Sequence, residues 1–544
     1  MCGILYSISS APRSPSADHI ALISHRGPDA IRTRVVHRNG RTQSFTSSLL
    51  SVRGSTPIPQ PLEDPTTGSV LCWNGEAWRI TGVPLPPGEN DTLAVFELLL
   101  ARGIDGLREL EGEFAFVFYD APLGVCWFGR DWAGRRSLVM RREEDTLMVA
   151  SVGDDKGGWE EIETGGVWRS DVVSGEMIWH TLGKDAEMLY EVPKMNMALP
   201  TVDDESAILN IDSPEVSSLH DALVKSLRLR VRDIQLPPDT DLHSRLRKAR
   251  PEDDVRVAIL FSGGVDCTTM ARIAHDILPP DEPVDLLNVA FENPRIVAAR
   301  NAAAKKEGTK VDGTDPVEID PYALCPDRTT GLSSFHELRK TCPTRFWRFI
   351  SINVPYTELL AHRPTVIHLM HPHNTEMDLS IALAFYFAAR GQSDDYTTPA
   401  RILLSGLGAD ELFGGYSRHS TAFRRAGYQG LLDELNLDFL RLGKRNLGRD
   451  DRVAAHWAKE MRYPFLDDKV VAWAMRTPVT GKCSFGKSED DGIENGKKVL
   501  RLLAKKLGMP TAAAEAKRAV QFGARSAKTS VESRKTKGTD ALVV

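Results

Sequence analysis

The chain has 544 residues, 42% hydrophobic and 26% charged, proportions that exclude a disordered or fibrous protein. That length exceeds what one core organises and predicts two large domains or three smaller ones. With 68 Lys and Arg against 74 Asp and Glu the formal net charge is −6, so no overall field draws the chain to nucleic acid or to an anionic membrane.

The opening MCGILYSISS has no basic segment ahead of its apolar residues, which argues against a secretory signal. The strongest apolar run, 381–389, falls far short of the roughly 20 residues of a membrane span. Seven cysteines (2, 72, 126, 267, 325, 342 and 483) form no C-x-x-C pair, so neither a disulfide framework nor a zinc site is expected. A reducing, cytoplasmic setting follows from that usage.

Residues 2–182 read as mostly β, with short apolar runs at 70–73, 113–119, 125–129 and 147–151 between turn residues. One helix is predicted over 91–101, with Leu93, Phe96, Glu97 and Leu100 at helical spacing and Asn90 or Asp91 as its N-cap. Residues 183–253 are interrupted by prolines and carry acids at 203–205; they read as a linker with a helix at 216–231. From 254 to 530 the pattern becomes α/β. Strands are predicted at 255–261, 285–291, 365–369 and 401–405. A helix after residue 264 places Met270, Ile273, Ala274, Ile277 and Leu278 on one face. Such alternation implies a parallel sheet covered on both sides. Residues 531–544 read as a polar, frayed tail.

Cys2 follows only the initiator Met. Removal of Met1 would put its thiol and a free α-amino group, which titrates near pH ~8, on one residue. The amine then serves as base for the thiol. Alone, Cys2 reads first as a small buried residue of a first strand. Asn74-Gly75-Glu76, placed after a strand, offers the side-chain amide and glycine N–H that an oxyanion hole needs. With Arg26-Gly27-Pro28-Asp29, Asp91 and Gly129-Arg130-Asp131 in one order, the segment resembles the class II glutamine amidotransferase domain. The resemblance implies an αββα N-terminal-nucleophile hydrolase sandwich. It implies Cys2 as nucleophile and Asn74 and Gly75 as oxyanion donors. It places Arg53 on the glutamine α-carboxylate and Glu76 and Asp91 on its ammonium.

Ser262-Gly263-Gly264-Val265-Asp266 sits between a buried strand and an amphipathic helix. Two glycines let the backbone approach a ligand, and the helix start offers free N–H groups to phosphate; a tight turn without a ligand fits the same residues. The motif resembles the S-G-G-x-D-S loop of ATP pyrophosphatases, with Cys267 in place of the second serine. A thiol is the weaker donor. Residues 404–416, LSGLGADELFGGY, resemble the S-G-E-G-S-D-E-x-F-G-G-Y of asparagine synthetases, and Arg462-Tyr463-Pro464-Phe465-Leu466-Asp467 resembles their R-x-P-F-L-D. Gly496-Lys497 resembles their lysine-bearing helix near the reacting phosphate, and Lys517-Arg518 and Gln521-Phe522 fit their basic C-terminal segment; each lysine alone also reads as a solvated face.

The resemblance implies a doubly wound parallel-sheet ATP pyrophosphatase domain. It would bind ATP through Leu260, Ser262, Gly263, Gly264, Asp266, Val289, Ser405, Gly406 and Lys497. Asp266 and Asp410 would meet pyrophosphate through Mg2+. The family glutamate of S-G-E-G is Leu407 here, which cannot position or deprotonate ammonia. The overall pattern is most similar to the asparagine synthetase domain-containing branch. Glutamine, aspartate and ATP are the implied substrates, without nucleic acid or membrane partners, and a homodimer is compatible with the pattern. Residues 481–488, GKCSFGKS, fit the Walker A letters but lack the preceding strand that a P-loop requires. Three readings stand: a glutamine-dependent, ATP-driven amide ligase; a glutaminase with a silent synthetase half, favoured by Leu407; and a non-catalytic binding or regulatory protein.

Overall fold

The structure is a computed structural model that describes residues 2–542 apart from 12–13, 55, 144, 182–193, 202–208, 236–253, 300–319, 487–491 and 528–536. The expectations for Met1, for most of 183–253 and for 531–536 lie outside the described residues.

Among the described residues the N-terminal half holds thirteen strands: β1 (Gly3–Ser9), β2 (Ala30–Arg38), β3 (Arg41–Leu49), β4 (Leu62–Glu63), β5 (Val70–Ile80), β6 (Val83–Pro84), β7 (Leu110–Asp120), β8 (Val125–Arg130), β9 (Val139–Glu143), β10 (Thr146–Ala150), β11 (Glu160–Glu161), β12 (Gly166–Asp171) and β13 (Met177–Thr181). They form two antiparallel sheets, ordered β11-β9-β10-β1-β3-β2 and β13-β12-β8-β7-β5-β4. Period-two side-chain alternation sorts their residues. Ile4, Tyr6, Ile8 and Phe45 of one sheet meet Val70, Cys72, Ala115 and Val117 of the other in a closed core. Leu71, Trp73, Phe114 and Phe116 point the opposite way, onto helix α2 (Asp91–Arg102). Helix α1 (Ala17–Arg26) covers the other outer face through Ile23 and Leu5. The layers are therefore α, β, β, α.

Two expectations change here. The buried stripe of α2 is Thr92, Val95, Phe96 and Leu99, whereas Leu93 and Leu100 are exposed. The segment DTLAVFELLLAR is apolar on several faces, so spacing alone does not choose one. Asn74-Gly75-Glu76 does not follow a strand but lies inside β5, opposite Ala115, Phe114 and Glu113.

The C-terminal half runs α3 (Pro214–Val231), β14 (Val257–Leu260), α4 (Val265–Ile277), β15 (Val284–Phe291), α5 (Pro326–Thr341), β16 (Trp347–Val354), α6 (Tyr356–Met370), α7 (Glu376–Arg390), β17 (Ile402–Leu404), α8 (Ala409–Phe413), α9 (Ser417–Leu440, broken at Gly427), α10 (Leu447–Ala455), β18 (Glu460–Arg462), α11 (Asp468–Arg476) and α12 (Lys498–Lys506). The five strands form one parallel sheet in the order β16-β15-β14-β17-β18. The chain winds outward from β14 in one direction, then returns to β17 and winds in the other.

The expected strand at 365–369 is instead the last turns of α6, which bury Val366, Leu369 and Met370 at helical spacing. A short apolar run fits both periods; the third strand is β16, whose residues are half-buried in near alternation. Within the supposed linker, α3 is a core helix that packs its Leu219, Leu223 and Leu227 with Ile273 and Leu503. Part of the supposed frayed tail docks: Gly538 and Asp540 carbonyls accept the Met377 and Glu376 N–H groups at the start of α7. The Walker-like residues follow a 3-10 turn, Val479–Gly481, and no strand. No helix among the described residues is long and apolar enough to cross a membrane.

Candidate functional sites

The first centre lies where β1 begins. Cys2 is 8% exposed, and burial pushes its thiol up to about 11. Such a thiol is protonated at neutral pH and needs a base to become a nucleophile. Gln60 places Nε2 3.7 Å from Cys2 Sγ while its Oε1 accepts the Trp73 N–H at 2.7 Å. Asn74 is fully buried, and neither its amide oxygen nor its amide nitrogen has a partner among the described residues. A buried, unsatisfied amide is costly unless a ligand completes it. At Gly75 φ is +153°, and a Cβ would stand 2.1 Å from the Glu113 carbonyl oxygen, so no other residue fits β5 there.

Arg53 extends over this strand, donating to Glu76 at 3.3 Å and to the Ala77 carbonyl at 3.2 Å. Burial opposes its charge, but Glu76 and Asp91 outweigh that and raise its pKa. Asp91 stands at the first turn of α2, since Asn90 makes the cap. Its carboxylate is therefore free to accept Trp73 Nε1 at 3.2 Å and the Ala77 N–H at 3.0 Å. Burial raises Asp91, and it raises Glu76 to about 7 despite Arg462. Cys2, Asn74, Gly75, Arg53, Glu76 and Asp91 thus gather around one strand. Glu76 is engaged on both oxygens, by Arg53 and, at 3.1 Å, by Arg462 from the other half.

The second centre lies where β14 and β17 diverge in winding direction, beyond their carboxyl ends. A parallel sheet leaves a crevice at that point. A cavity of about 750 Å3 opens there, lined by Leu260, Ser262, Gly264 and Asp266 from the first loop, Val289 from β15, and Ser405, Gly406 and Asp410 from the second loop. This volume lies in the range of small-molecule sites. Gly263 supports the loop from behind: its φ is +81°, and a Cβ would meet the Thr330 carbonyl oxygen at 2.4 Å. Leu407 also lines the cavity.

Lys497 joins the two loops. Its Nζ lies 2.9 Å from each Asp266 oxygen and 2.8 Å from Asp410 Oδ1, and Lys517 Nζ lies 2.5 Å from Asp410 Oδ2. Burial works against ionised Asp410, but Lys497 and Lys517 hold its carboxyl well below the usual range. Burial likewise works against charged Lys497, and the two aspartates raise it. Two carboxylates that converge on one ammonium supply two of the oxygens that a divalent cation takes as ligands. Among the described residues no three metal-ligating side chains cluster, so a cation held here would take its remaining ligands from phosphate oxygens and water.

The two centres belong to one body. Residues from both halves share a core, including Leu5, Leu50 and Val139 with Phe439, Leu447 and Met461. Around it run buried ion pairs: Arg26 to Asp451 at 2.8 Å, Arg230 to Glu113 at 2.7 Å and to Asp467 at 2.8 Å, and Arg452 to Glu161 at 2.9 Å. Asp29, part of the Arg-Gly-Pro-Asp motif, is held by Arg401 at 2.5 and 2.8 Å. These long-range partners have no local signal in the sequence.

Comparison with known proteins matches residues 1–155 to the glutamine amidotransferase domain and residues 348–436 and 425–538 to asparagine synthase. Asparagine synthetase domain-containing protein 1 of Bos taurus is 31% identical, with 97% of this chain and 95% of that one covered. An asparagine synthetase domain-containing protein of Saccharomyces cerevisiae is 33% identical over 96% of this chain and 90% of its own. A putative glutamine-hydrolysing asparagine synthetase of Methanocaldococcus jannaschii is 24% identical over 70% of this chain and 58% of its own. The chain therefore belongs to the asparagine synthetase domain-containing proteins, which join a glutamine amidotransferase domain to an asparagine synthase domain.

Proposed function

We propose that this protein is a glutamine-dependent, ATP-driven amide ligase. Cys2, freed by removal of Met1, attacks the glutamine side-chain amide, with its own α-amine as the base. The Asn74 amide and the Gly75 N–H stabilise the oxyanion. Arg53 holds the substrate α-carboxylate by a bidentate contact, and Asp91 and Glu76 face its ammonium. In the second half the Ser262–Gly264 and Ser405–Gly406 backbones cradle the phosphates of ATP while Leu260 and Val289 flank the nucleoside. Asp266 and Asp410 would hold Mg2+, which neutralises phosphate charge when bound. Lys497 then turns from the aspartates to the phosphates. Aspartate is the expected acceptor, activated as its acyl-adenylate, with pyrophosphate and then AMP released.

The observation that carries the reading is the convergence of both loops and Lys497 on one cavity, in a single body with Cys2. Labelled aspartate, glutamine and Mg-ATP incubated with the protein should yield labelled asparagine with one AMP and one pyrophosphate each, read by mass spectrometry. Ammonia release from glutamine without AMP would instead establish a glutaminase. Leu407 favours that second reading, because an apolar side chain in the cavity wall neither accepts nor donates a proton.

A further inference from the structure

Helix α10 carries two adjacent, fully buried acids, Asp450 and Asp451, that serve different halves of the molecule. Asp451 turns toward the first centre. Its Oδ2 accepts Arg26 Nη2 at 2.8 Å and the Ser137 N–H at 3.1 Å, and Arg26 Nε reaches the Cys2 carbonyl at 3.4 Å. Asp450 lines the nucleotide cavity. Its Oδ1 accepts Arg449 Nε at 2.9 Å and pairs with Arg449 Nη2 at 2.8 Å. Its Oδ2 is buried and accepts nothing from the described residues. An ionised oxygen in that position costs stability unless a ligand brings an N–H or O–H to it.

Arg449 cannot turn to satisfy that oxygen, because its Nη1 already donates to Asp378 Oδ1 at 2.7 Å. The clamp also fixes which way Asp450 faces. Leu407, in the same cavity wall, supplies no acceptor. The helix thus links the Cys2 backbone, through Arg26 and Asp451, to a buried acceptor without a partner among the described residues, on a residue that lines the synthetase cavity.

We propose that Asp450 is a catalytic residue that meets the nitrogen nucleophile in the synthetase cavity and takes its proton. The inference rests on the amide-ligase reading. Ammonia enters neutral and forms the C–N bond at the acyl-adenylate carbon. One N–H proton passes to Asp450 Oδ2, the acyl C–O bond breaks, and AMP leaves with its electron pair. Burial raises Asp450 to about 6 against Arg449, with Asp378 adding to the rise and Arg452 opposing it. A carboxylate so placed is ionised at neutral pH yet basic enough to act.

The test is Asp450→Asn, which keeps the shape and one acceptor, with Asp450→Glu beside it. Loss of a general base predicts a fall of about 100-fold or more in both glutamine-driven and ammonium-driven amide formation, with the acceptor KM unmoved, hydrolysis of glutamine at the other site retained and partial activity in Asp450→Glu. Ammonium-driven turnover within threefold of wild type, or a loss confined to the acceptor KM, which would mark Asp450 as a contact for the acceptor's own ammonium, overturns the assignment. Crystals soaked in thallium(I), which matches ammonium in charge and size, provide a readout that needs no amide product. An anomalous peak within hydrogen-bonding distance of Asp450 Oδ2 supports the site, and its absence overturns it. If wild type makes no amide, the ligase reading falls and the thallium site alone decides this one.

Discussion

Lys497 touches both glycine-rich loops, through Asp266 and Asp410, so Lys497→Met separates its two roles. Methionine keeps the length of the chain and the same left-handed backbone, φ +55°, so the substitution removes charge and little else. Each contact at 2.8–2.9 Å is worth about 6 kcal/mol at an effective dielectric of 20 before desolvation. Breaking a buried pair by removing one partner costs about 3–5 kcal/mol net. Asp410 keeps Lys517 at 2.5 Å, whereas Asp266 loses its partner at 19% side-chain exposure, so the lower end applies. At about 2–4 °C per kcal/mol for a large domain, thermal unfolding of the variant should fall by about 6–12 °C.

Magnesium then distinguishes this account from a general packing defect. In wild type the ammonium competes with a divalent cation for the two aspartates. In Lys497→Met that competitor is gone, so millimolar Mg2+ should restore about 2–3 kcal/mol in the variant at roughly a hundred times its Kd, and much less in wild type. Calorimetry with and without Mg2+ reads both numbers, and AMP formation should be lost throughout. A variant that melts at the wild-type temperature, or one that melts low and ignores Mg2+, would refute the view that Asp266 and Asp410 form one cation site.

Cys2→Ala should abolish glutamine hydrolysis while ammonium-driven amide formation persists, measured as AMP release with each nitrogen source; loss of both would contradict the division of labour. Because the Cys2 thiol is pushed up to about 11, kcat/KM for glutamine should rise through the α-amine, near pH ~8, and an inflection at the thiol's own value would show that the amine is not the base. Gly75→Ala drives a Cβ into the Glu113 carbonyl at 2.1 Å; overpacking of about 3 kcal/mol should lower the melting temperature and remove glutamine turnover, and a fully stable variant would show that β5 yields there. Asp410 is held well below its ordinary carboxylate value, so its stability contribution is complete above the unfolded pKa of about 3.9 and is lost as pH falls through the folded one; the stability gap between wild type and Lys497→Met should therefore narrow on acidification, and a constant gap would deny the coupling.

What the sequence discloses and what it hides divide along a physical line. The strand–glycine–helix unit at 257–277 is local: β-branched residues make the strand, Gly263 accepts a positive φ, and an apolar stripe makes the helix. All of that is legible from order alone. The helix at 356–370 is not, because its last turns present the same apolar run as a strand until Leu359, Val366 and Met370 are seen on one buried side. Tertiary packing decides such runs. Within the first centre, residue types mark Asn74 and Gly75, but their place inside β5 depends on pairing with Ala115 and Phe114 of β7, far along the chain. Gln60 beside Cys2, Lys517 on Asp410 and the orphan oxygen of Asp450 arise only when distant segments meet, and no spacing rule foretells them.

The joint between the halves explains why so many arginines are buried in a protein of nearly balanced charge. An apolar interface alone tolerates sliding, since hydrophobic contact has no preferred direction. A guanidinium has five donors in a fixed fork and needs acceptors in matching places. Arg462 meets Glu76 at 3.1 Å, Glu460 at 2.6 Å and the Arg230 carbonyl at 2.8 Å; Arg135 donates to the Leu466 carbonyl at 2.6 Å and Arg136 to the Met461 carbonyl at 2.7 Å. Any slip of one half would strand these charges without water, at several kcal/mol each. The ion pairs therefore contribute less to net stability than to a single relative position. On the proposed ligase reading, a small neutral nucleophile passed between two centres needs that constancy, because a displacement of about 1 Å at the receiving carbon can cost a hundredfold in rate. The same contacts tie Glu76, in the first centre, to β18 of the parallel sheet, so the two centres are held in register by the residues that hold the fold.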